Sequence, residues 1–122
     1  MTEQDRKSNR MTRLAVYGSL APGRSNHQQL DGLAGRWRAG VVRGALMAPG
    51  WRAGLDFPGV VLDPGGGEVA VQVFESPGLP GRWARLDAFE GPHYRRVVAR
   101  VRSVKGEVEA CIYVARGRRR RP

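Results

Sequence analysis

The sequence predicts a small α+β domain made mostly of strands. Three observations carry that prediction. Glu68–Glu75 alternates, with Val69, Val71 and Val73 on one side and Ala70, Gln72 and Phe74 on the other, which is the period of a strand. Near the C-terminus, two runs rich in valine flank a Lys105-Gly106 turn and read as a hairpin. Between these features, Leu79, Trp83 and Leu86 recur at i, i+4 and i+7, one stripe of an amphipathic helix. A chain of 122 residues suits one domain, long enough to bury a useful core.

Residues 1–12 are polar and charged and read as a flexible leader ahead of a domain spanning 13–116. They lack the apolar stretch of a secretory signal, and Met11 stands directly before the first strand, so an upstream start is a second reading of the same residues. Residues 117–122 form a basic tail. The chain carries a net +10, of which residues 1–13 hold +2 and the tail +4, leaving +4 on the body. Arg118–Arg121 offers an electrostatic contact for nucleic acid or an acidic partner, but a solvated tail has the same sequence, and the body gives no nucleic-acid motif. No apolar run approaches the ~20 residues of a membrane span, and no membrane partner is expected. The single cysteine, Cys111, rules out an intrachain disulfide, fits a cytoplasmic location and reads as a small core residue.

Leu14–Tyr17 is an apolar run that stops at Gly18 and gives way to Ser19, Leu20, Ala21, Pro22 and Gly23. A strand ending in such a loop presents successive backbone N–H groups, and Gly18 admits a ligand close to the chain. The stretch is a candidate oxyanion or carboxylate cradle; a plain strand and turn would look the same. Ser25–Leu30 reads as a short helix with Ser25 or Asn26 as N-cap, and His27 as a surface residue. Trp37–Met47 reads as a strand, interrupted at Gly40 and Gly44. Arg43–Asp56 is expected to shape a pocket mouth. A short strand at Pro58–Leu62 and a turn at Asp63–Gly67 follow. The Gly65–Gly67 triplet is not a phosphate loop, since no Lys-Ser/Thr follows and the next element is a strand. No His, Cys and carboxylate cluster has metal-ligand spacing, and no metal or cofactor is expected.

Ser76-Pro77 has the form of a helix cap, and the helix is expected over Leu79–Glu90. Glu90 falls at i+11 from Leu79, about 20° away at roughly 100° per residue, on the stripe meant for the core. Arg82, Arg85 and Asp87 lie toward the other sides. Burial and the negative end of the helix both disfavour an ionised carboxylate at Glu90, which suits a general acid/base near neutrality. Pairing with Arg95 or Arg96, or a frayed last turn open to solvent, are the alternatives. Gly91-Pro92 ends the helix, and Tyr94–Arg102 and Val108–Ala115 form the hairpin. Tyr113 either looks into a pocket or packs.

The Tyr17-Gly18-Ser19-Leu20 loop followed much later by Leu86-Asp87-Ala88-Phe89-Glu90-Gly91-Pro92-His93-Tyr94-Arg95-Arg96 closely resembles the gamma-glutamylcyclotransferase-like superfamily, including its gamma-glutamylamine cyclotransferase branch. Its members show a YG[ST] loop and an LDxxEGxxYxR segment, and the resemblance spans Leu14 to Arg116. It implies an α+β fold whose mixed sheet curls into a small barrel with few short helices. It implies that Tyr17, Gly18, Ser19 and Leu20 cradle a gamma-glutamyl group and that Glu90 is the catalytic acid/base. Tyr94 and Tyr113 complete the expected substrate-binding set. The implied reaction is attack of the substrate's own α-amine on its γ-amide carbonyl, releasing 5-oxoproline and an amine or amino acid, with no metal. The alternative is a non-catalytic module that holds a small polar ligand in the same cavity.

Overall fold

The computed structural model describes residues 9–17, 27–51 and 58–116. Its strands are β1 (Arg13–Val16), β2 (Arg36–Met47), β3 (Gly59–Leu62), β4 (Gly67–Glu75), β5 (Tyr94–Ser103) and β6 (Gly106–Ala115). An α-helix, α1 (Trp83–Glu90), lies between β4 and β5.

Five of the strands close into a barrel. β4 pairs antiparallel with β1 on one edge and with β2 on the other, from Arg36↔Glu75 to Gly44↔Gly67. β5 and β6 form the expected hairpin, from Tyr94↔Ala115 to Ser103↔Gly106. A parallel pairing of Leu14 with Cys111 joins β1 to β6, and a bridge at Val41↔Arg102 joins β2 to β5. β3 is the additional strand, antiparallel to the end of β2 and parallel to β6 at Val60↔Val114.

The alternation seen in the sequence sorts into two apolar clusters. Val42, Val60, Val71, Val73, Val101 and Ile112 fill the barrel and are almost fully buried. On the outer face, Leu14, Val16, Phe74, Cys111 and Tyr113 pack against Leu79, Trp83 and Leu86. β1 and the second half of β6 are therefore buried on both faces, one by the barrel and one by the helix, which is why those segments read as continuous apolar runs rather than alternating ones.

Some expectations are corrected. β2 runs unbroken through Gly40 and Gly44. Gly40 is there for space: a Cβ at that position would come within 2.6 Å of Val101 Cγ1 on the neighbouring strand β5. The helix expected over Leu79–Glu90 is split into a 3-10 turn, Leu79–Gly81, and α1. Pro80 has no N–H to give and Gly81 is a poor helix former, so regular α-structure starts only at Trp83. Ser76 does not cap α1; its buried Oγ accepts the Gly78 N–H at 3.1 Å and shapes the preceding turn. Of the helix expected over Ser25–Leu30, His27–Leu30 is a 3-10 turn and the remainder lies outside the described residues. Arg10–Thr12, in the polar leader, forms a further 3-10 turn, held where the Trp83 indole N–H donates to the Met11 carbonyl at 3.1 Å. No described helix is long and apolar enough to cross a membrane.

Candidate active site

α1 carries Glu90 to the rim of the barrel. Leu79, Trp83 and Leu86 are buried on the stripe the sequence predicted, and Glu90 lies at the end of it, partly buried. α1 has no basic residue in its last turn to offset a carboxylate there. Among the described residues Glu90 forms neither a hydrogen bond nor an ion pair, and burial pushes its carboxyl up to about 7. The pairing with Arg96 does not form. That guanidinium instead bonds Asp87, from Nε to Oδ1 at 2.9 Å and from Nη2 to Oδ2 at 3.2 Å, and lies 4.7 Å from the centre of the Trp83 ring.

Gly91 then turns the chain sharply. Its φ of 84° and ψ of −179° form a combination open essentially to glycine alone. Its N–H closes the helix on the Asp87 carbonyl at 3.1 Å, and its own carbonyl receives the Tyr94 N–H at 3.3 Å. One tight connection therefore links Glu90 to the start of β5.

Tyr17 follows β1 and stands opposite. Its hydroxyl donates to the Tyr113 carbonyl at 2.5 Å and accepts the Val60 N–H at 3.2 Å. Burial drives its ionisation far up, and the nearby Glu90 and Tyr94 groups act in the same direction. Tyr94 reaches the same region and donates its hydroxyl to the Pro58 carbonyl at 3.3 Å. Tyr113 is buried, and its hydroxyl donates to Asp87 Oδ1 at 2.5 Å. Burial, and after it the Asp87 carboxylate, raises the Tyr113 ionisation as well, and Glu90 adds to the effect.

The structure thus gathers Glu90, Tyr17, Tyr94 and Tyr113 at one end of the sheet. Gly18, Ser19 and Leu20 lie outside the described residues. All three tyrosine hydroxyls, on Tyr17, Tyr94 and Tyr113, are bonded to groups of the protein itself. Sequence reasoning missed Asp87, which it placed with Arg82 and Arg85 off the core stripe. Asp87 is half-exposed, yet its carboxylate joins α1 to both strands of the hairpin. The signal was hard to see because Arg96 and Tyr113 become neighbours only through the β5–β6 register, where they are direct partners. Of the expected pocket mouth, residues 52–57 lie outside the described residues. Arg43 instead lines a separate cavity of about 600 Å³ between β2 and β5, with Leu62, Val98 and Arg100, away from Glu90 and the three tyrosines.

The family model described as gamma-glutamyl cyclotransferase, AIG2-like, matches residues 14–122. No curated protein gives a significant match. Among solved structures, YkqA from Bacillus subtilis is similar at 28% identity and a TM-score of 0.68, over 85% of this chain and 35% of that one. The chain therefore spans about a third of YkqA. An AIG2-like protein from Mus musculus aligns at 24% identity and a TM-score of 0.66, over 85% of this chain and 76% of that one, and shows the same fold. An uncharacterized protein from Pyrococcus horikoshii aligns at 26% identity and a TM-score of 0.57, over 91% and 85% of the two chains.

Proposed function

We propose, from the premise that this chain belongs to the gamma-glutamyl cyclotransferase, AIG2-like family, that it cyclises a gamma-glutamyl amide with Glu90 as the acid/base. The observation that carries the reading is the Glu90 carboxyl. It is partly buried, has no charged partner among the described residues, is raised to about 7, and stands near Tyr17 at the strand end that leads into Gly18.

The chemistry asks little of the protein beyond placement and proton transfer. A gamma-glutamyl amide carries its own nucleophile, the α-amine, within reach of the γ-carbonyl. Bond formation between that nitrogen and the carbonyl carbon closes a five-membered lactam, and the original amide C–N bond breaks. Holding the substrate folded gives the rate advantage of an intramolecular reaction. Glu90 accepts the proton that the α-ammonium must lose and returns one to the departing nitrogen, a double duty suited to a carboxyl that titrates near neutrality. The oxyanion is assigned to backbone N–H groups of Gly18–Leu20, at roughly 3–4 kcal/mol per donor. Tyr94 is assigned to the substrate-facing wall. The released fragment is an amine or an amino acid.

The test is mass-spectrometric detection of 5-oxoproline from gamma-glutamyl amino acids, amines and peptides, with Glu90→Gln alongside. Product from one class, lost in the variant, supports the reaction and the base together. A folded protein that binds these compounds and releases no product refutes the reading in favour of a binding module.

A further inference from the structure

α1 is only eight residues long, too short to persist by its own propensity. Its last turn opposes a carboxylate, lacks a basic residue and ends at a glycine. That turn nevertheless has to keep Glu90 aimed inward. Within it, the side chain tied to the sheet is Asp87, one turn before Glu90, and its partners are Arg96 and Tyr113. These two are paired across β5 and β6 at the Arg96↔Tyr113 register position, so the contact is to a rigid ladder rather than to a loop. The Arg96 bond is partly open to water, whereas Tyr113 is buried under the helix. Arg96 also spans back to Trp83, the first residue of α1. The hydroxyl of Tyr113 thus meets the helix where fraying would begin.

We propose that Tyr113 is a positioning residue of the site: through its hydrogen bond to Asp87 it holds the last turn of α1 against the sheet and keeps Glu90 turned toward Tyr17. This rests on the reading of Glu90 as the base, and it gives Tyr113 a role other than substrate contact. The titratable groups facing Glu90 are the Tyr17 hydroxyl beside the end of β1, with Tyr94 of β5 next to it, and the Tyr113 hydroxyl of β6; Asp87 and Arg96 carry the charges of the clamp itself. None of the facing groups is a cation, so what holds the Glu90 carboxyl high is its seclusion, and seclusion is what the clamp maintains.

The experiment compares Tyr113→Phe, Asp87→Asn and the double variant with the unaltered chain. Carboxyl NMR follows the Glu90 titration, and 5-oxoproline release gives kcat and KM. With the clamp cut, the Glu90 midpoint falls from about 7 by at least one pH unit in each single variant. kcat falls tenfold or more with KM within threefold, and the double variant is no worse than the more affected single one, as expected of two ends of one bond. Val101→Ala, which opens a cavity inside the barrel, is the control for simple destabilisation; it lowers the melting temperature and leaves the midpoint and kcat in place. A Glu90 midpoint unmoved in folded Tyr113→Phe overturns the proposal, and so does an equal shift in Val101→Ala. If Asp87→Asn fails to fold, Tyr113→Phe, which removes one oxygen, decides alone. The NMR titration needs no turnover. A wild-type chain that makes no 5-oxoproline therefore refutes the cyclotransferase reading while the clamp is still judged on the midpoint.

Discussion

The Tyr17 hydroxyl and the Tyr113 carbonyl are 2.5 Å apart, and the same hydroxyl receives the Val60 N–H at 3.2 Å. One side chain beside β1 thus joins β3 to β6, close to where those strands meet at Val60↔Val114. Tyr17→Phe keeps the ring and deletes the bridge, leaving a buried N–H and a buried carbonyl each without that partner. The expected cost is about 1–3 kcal/mol, the range for stranding a buried polar group. Denaturant unfolding reads it from the midpoint at unchanged m-value. A cost under about 0.5 kcal/mol would mean that water or a neighbour replaces the hydroxyl.

Gly91→Ala tests the turn after Glu90. A Cβ there meets nothing within 4 Å, so crowding contributes nothing and the penalty is backbone strain alone. At φ 84° and ψ −179° that strain is roughly 1–3 kcal/mol. A chain relieved by reshaping the turn would move Glu90 relative to β5. Thermal unfolding that is unchanged by the substitution contradicts the geometry.

The barrel interior makes a different demand at Gly40. A Cβ at this position faces Val101 Cγ1 at 2.6 Å and the Arg102 carbonyl at 3.1 Å. Gly40→Ala therefore overpacks the interior, at a cost of about 1–3 kcal/mol. Trimming the opposing side chain restores room, so Gly40→Ala with Val101→Ala is expected to be less destabilised than the two single costs added together. The recovery is partial, because the Arg102 carbonyl stays in place. Strict additivity of the two single changes would show that the side chains do not meet.

The interior also shows why some features were legible in the sequence and others were not. The Leu79, Trp83, Leu86 and Glu90 stripe is a local property, set by residues close together in the chain, and its direction survived the break into a 3-10 turn and a helix. The same is true of the Glu68–Glu75 alternation, which appears as β4. The break itself was written in Pro80-Gly81, but periodicity alone ran straight through it. Gly40 looked like a strand breaker because the reason for it, Val101, is sixty-one positions away in sequence and adjacent only once the barrel closes. Asp87 and the hydroxyls of Tyr17 and Tyr113 share that property: each depends on register between distant strands, and no spacing within the sequence encodes it.

Glu90→Gln separates catalysis from stability. The Glu90 carboxyl titrates near 7 in the folded chain against an ordinary value of 4.5. Below about pH 4.5 both folded and unfolded chains hold the proton, and burial of the neutral acid carries no ionic penalty. As the pH rises from there to about 7, the unfolded chain gives up its proton while the folded one retains it, so stability is progressively lost; above about 7 the loss is complete. At roughly 1.4 kcal/mol per unit, the loss amounts to roughly 2–3 kcal/mol once partial exposure is allowed for. Glutamine is neutral at every pH and escapes that loss. The variant is therefore expected to gain on the wild type as the pH rises from 4.5 to 8, by roughly that amount, while losing turnover throughout. Chemical denaturation of both proteins across this range measures the difference directly. A stability gap that stays constant from pH 4.5 to 8 would show that Glu90 titrates as an ordinary solvated carboxylate, and the case for it as a base tuned to neutrality would fall with it.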